Sequence, residues 1–119
     1  MKSWNRYHFG LQGLKEEGMI ELPVIPEGCI HNAHMYYIKV KNIEERQCLI
    51  KFLKEREIET VFHYIPLHSS PAGMKWGRFH GEDRYTTRES ERLLRLPMFY
   101  KLSEDDIECV VNAIKDFYK

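Results

Sequence analysis

The feature that most constrains the fold is a strand-type segment, a helix-type segment and a second strand-type segment in succession. Residues 33–40 and 58–64 are rich in the β-branched and aromatic side chains that fit a pleated sheet. Between them, Asn42 is placed to cap a helix, with Glu45 three residues later in a capping-box position. A link of this length ordinarily favours parallel pairing of the two strands through a right-handed crossover, although nothing in the sequence fixes the strand order. The pattern predicts an α/β fold, a small two-layer domain in which a short sheet is covered by helices.

Three further helices are expected from apolar side chains that recur at three- and four-residue steps. The first covers residues 3–17 and ends at Gly18, a plausible C-cap. The second begins at Thr86 or Thr87, carries Leu93 and Leu94, and is ended by Pro97. The last is capped by Ser103. The apolar stripe of the helix between the two predicted strands is Ile43, Cys48, Leu49, Phe52 and Leu53. The apolar stripe of the last helix is Ile107, Val110, Val111, Ile114 and Phe117.

The remaining segments are predicted to be largely irregular. Residues 19–29 contain two prolines and one glycine, which indicates an extended connector with a brief strand at 20–22. Residues 65–85 are expected to form a loop of about twenty residues, and loops of this length in small domains are commonly functional. Residues 97–100 are predicted to form a short edge strand.

Composition and charge bear on the class of protein and on its partners. The 119 residues are enough for one domain, and 18 basic residues balance 18 acidic ones. This balance gives no indication of a nucleic-acid or membrane-surface partner. No apolar run approaches the roughly 20 residues needed to span a bilayer. Three cysteines without paired spacing favour reduced thiols and a cytoplasmic protein.

Two imidazoles and a phenol are concentrated where the second predicted strand ends. Pro66 stiffens the chain after His63 and Tyr64, and His68 follows two residues later. Strand ends that open into rigid loops often hold ligands. The spacing alone favours a structural interpretation over a ligand site, with a satisfied strand histidine and a loop histidine bonded to the backbone. The ligand site stays open as the second interpretation.

Two other groups of polar residues are candidate ligand sites. Cys29, His31 and His34 are zinc-type ligands at short spacing, but a closed site needs a fourth ligand and none is nearby. We therefore expect no metal site. Arg84 could bind a phosphate with both arms of its guanidinium, although Glu82 and Asp83 would repel a pyrophosphate. The alternative is a solvated charge run that leads into a helix.

Four segments carry a resemblance to a known family. They are HNAHMYYI (31–38), HYIPLHSSP (63–71), FHGEDRYTT (79–87) and ESERLLRLP (89–97), in this order. Together they resemble the C-terminal domain of the pyridoxal-phosphate-dependent sugar aminotransferases of the DegT/DnrJ/EryC1/StrS family. The resemblance implies that residues 1–18 end an inter-domain helix and that residues 19–119 form the small domain. It also implies that the catalytic N-terminal large domain is absent from this chain.

The resemblance further implies roles for particular residues. His63, Tyr64 and His68 match family positions near the mouth of the active site, so we expect them, together with Arg84, to contact a nucleotide-sugar substrate. Family members carry the lysine that binds pyridoxal phosphate in the large domain, and no lysine here has that context. We therefore expect no cofactor in this chain, no catalytic residue and no activity by itself. In the parent enzyme, a second subunit would be a further partner.

Separation from a larger enzyme would expose apolar area. Five aromatic and aliphatic side chains are the candidates, Trp4, Tyr7 and Leu11 in the first helix and Trp76 and Phe79 in the long loop. The chain is expected to self-associate, or to hold its first helix against the sheet as a cover. A stand-alone ligand- or metal-binding module, or an interaction domain that uses its first helix, remains an alternative to the aminotransferase fragment.

Overall fold

The computed structural model describes all residues from Met1 to Lys119. The helices are α1 (Lys2–Gly10), α2 (Gln12–Glu16), α3 (Ile43–Lys54), α4 (Pro71–Trp76), α5 (Thr86–Arg92) and α6 (Glu104–Phe117). The strands are β1 (Tyr36–Lys39), β2 (Val61–Phe62) and β3 (Leu93–Leu96), and a 3-10 turn covers Leu67–Ser69. This combination of a short sheet with helices confirms the predicted small α/β fold.

The sheet places the last strand of the sequence at its centre. Its order is β1–β3–β2, and β3 runs antiparallel to both neighbours, with Ile38 and Phe62 each opposite Leu94. The predicted parallel pairing of the first two strands is therefore wrong. β1 and β2 point the same way but are separated by β3, because Leu94 and Leu96 bury themselves in the core from the central position.

Residues 93–96 differ most from the sequence-based assignment. Leu93 and Leu94 were predicted in a helix, but α5 ends at Arg92 and the chain becomes extended at Leu93 (φ −81°, ψ 127°). Burial then alternates along the strand, which is the period of a half-buried sheet. The predicted edge strand at 97–100 is also wrong, because the strand ends one residue before Pro97.

The first helical segment closes over the sheet. The predicted helix 3–17 is interrupted at Leu11 (φ −101°, ψ 1°), so that two shorter helices replace one. Gly18 adopts φ +73° and ends α2 with the backbone bonds of a Schellman motif, which confirms the predicted C-cap. Trp4, Tyr7 and Leu11 are buried. Of the two expected outcomes for α1, the structure therefore has the cover, and an interaction domain that uses this apolar face is not supported.

Close packing holds α1 against α6. A Cβ atom built on Gly10 would lie 3.0 Å from a methyl group of Val111, so the glycine permits the approach of the two helices. α6 has the predicted cap, because Ser103 Oγ accepts from the Asp106 N–H and the Asp106 carboxylate accepts from the Ser103 N–H. Of its predicted stripe, Ile107, Val110, Val111 and Ile114 are buried, and Phe117 is half-buried.

α3 confirms its predicted start and corrects its predicted face. Asn42 Oδ1 accepts from the Glu45 N–H at 2.9 Å, whereas the Glu45 carboxylate accepts from the Lys41 N–H at 2.6 Å instead of that of Asn42. Leu49 and Leu53 are buried as expected, but Cys48 is exposed. The buried position on this side of the helix belongs to Arg46, whose charge gave no hint of burial.

The remaining elements are shorter or more ordered than predicted. β1 and β2 cover only the centres of the expected strands, and the expected strand at 20–22 is a single antiparallel bridge between Glu21 and Lys39. The predicted loop 65–85 contains the 3-10 turn and α4. Pro71 starts α4, and Ser70 Oγ caps it by accepting from the Gly73 N–H. None of the helices combines the length and apolar character required to cross a bilayer.

Candidate functional site

His63 and Tyr64 follow directly after β2. The imidazole of His63 is half-buried, and its Nδ1 atom is buried without a hydrogen-bond partner. The two rings contact each other edge to face at a centroid distance of 4.5 Å. The phenol of Tyr64 is exposed. The strand end thus presents one free phenol and one imidazole with unused hydrogen-bonding capacity.

Backbone contacts fix the position of this strand end. The Tyr64 carbonyl accepts from Ser90 Oγ at 2.8 Å, and the Ser90 carbonyl accepts from the Arg46 guanidinium at 2.8 Å. That guanidinium also lies 5.4 Å from the ring centroid of Phe62. Burial lowers the pKa of Arg46 from its usual value, with Glu91 opposing the shift. The contacts from α3 and α5 therefore hold the segment that carries Tyr64.

His68 is held by an acidic side chain from the far end of the same segment. Its Nε2 atom lies 2.8 Å from Asp83 Oδ2, and its ring lies 4.4 Å from that of Phe79. Asp83 also accepts from the Thr87 hydroxyl and from the Thr87 N–H. The bond from the Thr87 hydroxyl is the largest cause that lowers the pKa of Asp83, whereas loss of solvent raises it. The Thr87 N–H and His68 lower this pKa further. Asp83 is therefore an ionised acceptor at neutral pH.

A cleft adjoins this histidine. It has a volume of about 410 Å³ and is lined by Leu67, His68, Gly73, Gly77, Arg78, Phe79 and Thr86. A Cβ atom on Gly73 would lie 1.6 Å from the Leu67 carbonyl oxygen, so only glycine allows α4 to approach the 3-10 turn this closely. Trp76 and Phe79 are exposed here, as expected for the long segment. The cleft combines apolar walls with one imidazole and one guanidinium.

Arg84 lies on the same segment but is engaged. Its guanidinium pairs with Glu82 through Nε at 2.9 Å and through a terminal nitrogen at 2.8 Å, and both side chains are largely exposed. This contact occupies two of the three guanidinium nitrogens, and the other terminal nitrogen can still donate. A phosphate at Arg84 would therefore meet the negative charge of Glu82 beside it.

The three candidate metal ligands do not come together. Cys29 is exposed, the His34 Nδ1 atom lies 2.7 Å from Asn32 Oδ1, and the His31 ring packs 4.6 Å from that of Trp4. No three His, Cys, Asp or Glu side chains of the chain are grouped as a metal site. The arrangement gives no support to a metal-binding module.

Lys39 and Lys75 are candidates for the lysine that would anchor pyridoxal phosphate. Lys39 lines a cleft beside β1, but its Nζ atom pairs with Glu89 at 2.7 Å and with Glu21 at 3.5 Å. The Glu89 bond is the largest cause that raises the pKa of Lys39, so this amine is held as a cation. A lysine that attacks a carbonyl must be neutral. Lys75 is exposed, with its amine 4.9 Å from the Trp76 ring centroid. These residues do not fit the cofactor.

Asp83 and Arg92 are the residues that sequence reasoning missed. Asp83 was considered only for its repulsion of pyrophosphate, although an acidic residue four positions before Thr87 is a recognisable signal of a helix start. Arg92 donates to the Val40 carbonyl at 2.8 Å and pairs with Glu21 and Glu89. It thereby ties the connector, β1 and α5 together, and no local pattern in the sequence indicates that these partners meet.

Part of the sequence of several curated proteins is similar to this chain. The pleiotropic regulatory protein of Geobacillus stearothermophilus is 34% identical over 110 residues, which are 89% of this chain and 29% of the relative. The dTDP-3-amino-3,6-dideoxy-alpha-D-galactopyranose transaminase of Aneurinibacillus thermoaerophilus is 28% identical and is matched over 82% of this chain and 26% of its own length. The chain thus spans less than a third of these curated relatives.

Solved structures share the fold. The aminotransferase TlmJ of Streptoalloteichus hindustanus superposes with a TM-score of 0.80 at 24% identity, over 98% of this chain and 31% of that one. NtdA of Bacillus subtilis, solved with bound cofactor PMP, superposes with a TM-score of 0.78 at 23% identity. The superposition covers 97% of this chain and 26% of NtdA. A model of the DegT/DnrJ/EryC1/StrS aminotransferase family matches residues 1–115. The chain therefore belongs to the DegT/DnrJ/EryC1/StrS aminotransferase family.

Proposed function

We propose that this chain is the small C-terminal domain of a nucleotide-sugar aminotransferase and forms one wall of its substrate site. In this proposal, residues 1–18 end the helix that joins the two domains, and residues 19–119 form the small domain. The observation that carries it is the match to the family over residues 1–115. The exposed phenol of Tyr64 and the cleft beside His68 supply polar groups on the segment between β2 and α5.

The proposed reaction of the whole enzyme is amino transfer from glutamate to a dTDP-4-keto-6-deoxyhexose. The run FHGEDRYTT at residues 79–87 suggests dTDP-4-amino-4,6-dideoxygalactose as the product, and enterobacterial common antigen or another surface polysaccharide as the pathway. Support comes from a relative whose name specifies a dTDP-3-amino-3,6-dideoxygalactose transaminase. Exposed free thiols at Cys29, Cys48 and Cys109 are consistent with a reducing, cytoplasmic location.

The cofactor would be held elsewhere in the enzyme. Pyridoxal phosphate supplies the electron sink for amino transfer when it is bound. Because Lys39 is held as a cation and Lys75 lies outside any cleft described above, we propose that the anchoring lysine comes from the large domain. The chain's own contribution is then to bind and orient the sugar nucleotide, with a second subunit completing the site.

Within this wall, the four candidate residues would have different roles. Tyr64 can donate or accept a hydrogen bond with its exposed phenol, whereas the unused Nδ1 atom of His63 is buried and must become accessible before it can bind substrate. His68 is oriented by Asp83. Arg84 is paired with Glu82, whose negative charge opposes a phosphate, so we assign it the weakest contact with substrate.

Nitrogen-15 NMR of the chain during titration with dTDP tests this placement. We expect the amide signals that shift to be confined to residues 63–87. Tyr64→Phe, which removes one exposed hydroxyl, should weaken binding about fivefold, the equivalent of a hydrogen bond of about 1 kcal/mol. Tyr100→Phe is the matched control, because Tyr100 is also exposed but lies beyond β3. A groove between α1 and α6 is lined by Phe9, Gly10 and Val111 among others. Shifts confined to that groove, or an unchanged affinity in Tyr64→Phe, would contradict the proposal.

A further inference from the structure

The contact between His68 and Asp83 joins the two ends of the segment that carries the candidate site. The residues are 15 positions apart, and their Nε2 and Oδ2 atoms lie 2.8 Å from each other. Both side chains are largely shielded, with 21% and 23% of their area exposed. Thr87, in the first turn of α5, holds the same carboxylate by its N–H and its hydroxyl. The pair is therefore anchored to a helix and is not a free surface contact.

The chemistry of the carboxylate decides the state of the ring. Thr87 donates two hydrogen bonds to Asp83, and both favour the ionised form, which has acceptors only. The short contact with His68 therefore requires that the imidazole donate from Nε2. In the neutral ring, the proton on Nε2 leaves Nδ1 with a lone pair. Nδ1 makes no hydrogen bond in the structure, so it is the polar atom of His68 left for a ligand.

We propose that Asp83 is a positioning residue that fixes the proton of His68 on Nε2, so that Nδ1 accepts a hydrogen bond from a ligand hydroxyl or amine. This inference rests on the proposed function for the identity of the ligand, a sugar nucleotide. An acceptor at this position suits a hexose hydroxyl and does not suit an ionised diphosphate, which offers acceptors only. Arg78 lines the same cleft and makes no ion pair, so it is the donor available there for phosphate oxygens.

The ring proton of His68 gives a direct test in the whole chain. With histidine labelled by nitrogen-15, at about pH 8 and above the ordinary histidine range, we expect one Nε2–H proton of His68 protected enough to be observed. The signal is assigned by its disappearance in His68→Gln. Asp83→Ala should abolish it. Glu82→Ala is the matched control and should retain it, because Glu82 pairs with Arg84 instead.

Two safeguards keep the result interpretable. The amide signals of Ile38 and Leu94, which are opposite each other in the sheet, report whether each variant keeps its core. If Asp83→Ala loses these amide signals, Asp83→Asn is used in its place. In that variant the ring proton should exchange at least about fivefold faster than in the wild type, because a hydrogen bond to a neutral acceptor is weaker. A proton found on Nδ1, or an Nε2–H signal unchanged without the carboxylate, would overturn the inference.

A ligand titration separates this inference from the proposed function. We expect dTDP-glucose to shift the Nδ1 resonance of His68 and dTDP alone to leave it nearly unchanged, since only the former brings hexose hydroxyls. Binding of both nucleotides at residues 63–87 without a shift of Nδ1 would refute the ligand contact and leave the proposed function intact. Binding of neither would refute the proposed substrate wall, while the ring-proton experiment still decides the role of Asp83.

Discussion

The hydroxyl of Tyr7 offers a sharp test of how the first helix is held. Tyr7 is completely buried, its ring stacks on that of Tyr36 at 5.3 Å, and its hydroxyl donates to the Pro97 carbonyl at 2.8 Å. Tyr7→Phe keeps the ring and removes this one bond. A neutral hydrogen bond contributes about 1 kcal/mol net, and half-buried Pro97 can regain water. We therefore expect the free energy of unfolding to fall by about 1 kcal/mol and Tm to fall by about 3–6 °C at neutral pH.

The same substitution should behave differently in alkali. Burial raises the pKa of Tyr7 above its ordinary value, and the charge of Asp106 raises it further. The folded state therefore favours the neutral phenol. This contribution is fully present below the unfolded pKa of about 10 and is lost as the pH rises through the folded value. Phenylalanine cannot ionise, so the penalty of Tyr7→Phe should shrink above about pH 10.

Urea denaturation followed by circular dichroism, at pH 7 and at about pH 10.5, measures both effects. The wild type should still lose stability in alkali because burial also raises the pKa of Tyr36 and Tyr118. Tyr100→Phe serves as the control, since 91% of Tyr100 is exposed, and it should match the wild type at both values. A Tyr7→Phe variant as stable as the wild type at pH 7, or a penalty that grows in alkali, would refute the reasoning.

Three further outcomes are expected. Mixed with pyridoxal phosphate, the chain should show no saturable adduct at a single lysine by absorbance and mass spectrometry; a stoichiometric adduct would contradict a separate cofactor lysine. Sedimentation velocity over a hundredfold concentration range should reveal self-association through exposed Leu67 and Trp76, which Trp76→Ser reduces; monomers throughout would show that this area drives no contact. Gly73→Ala should lower the free energy of unfolding, measured by thermal denaturation, by about 1–3 kcal/mol because its Cβ would meet the Leu67 carbonyl. Gly13→Ala is the control and should cause no such loss, since the space around Gly13 is open; equal effects of the two substitutions would contradict this packing.

Local signals predicted the helices well where cap and stripe coincide. Ser103 with Asp106 marks the start of α6, and apolar residues at helical spacing mark its buried face. The same logic failed at Leu93, because a helix-forming run continues into the strand without glycine or proline between them. Only the neighbours Tyr36–Lys39 and Val61–Phe62 make residues 93–96 a strand, and such pairing is not encoded locally.

The candidate site was predicted in its residues but not in its connections. The segment with His63, Tyr64 and His68 was recognisable from its aromatic and imidazole groups beside Pro66. The partner of His68 was not, because Asp83 lies 15 residues away, beyond a helix that was expected to be loop. Contacts of this kind depend on how the chain folds back, whereas residue type and spacing report only what one segment can offer.

The central position of β3 also constrains the order in which the chain can fold. β1 and β2 have no hydrogen bonds to each other, and both pair with residues 93–96, which follow them in the sequence. During synthesis, residues 1–92 can therefore form helices but not this sheet. Closing the loop from β1 to β3 costs conformational entropy before any hydrogen bonds between the strands form. We therefore expect the sheet to form slowly and late in folding. Until Leu96 leaves the ribosome, both strands expose unpaired edges, and this interval is when the nascent chain is most prone to aggregate.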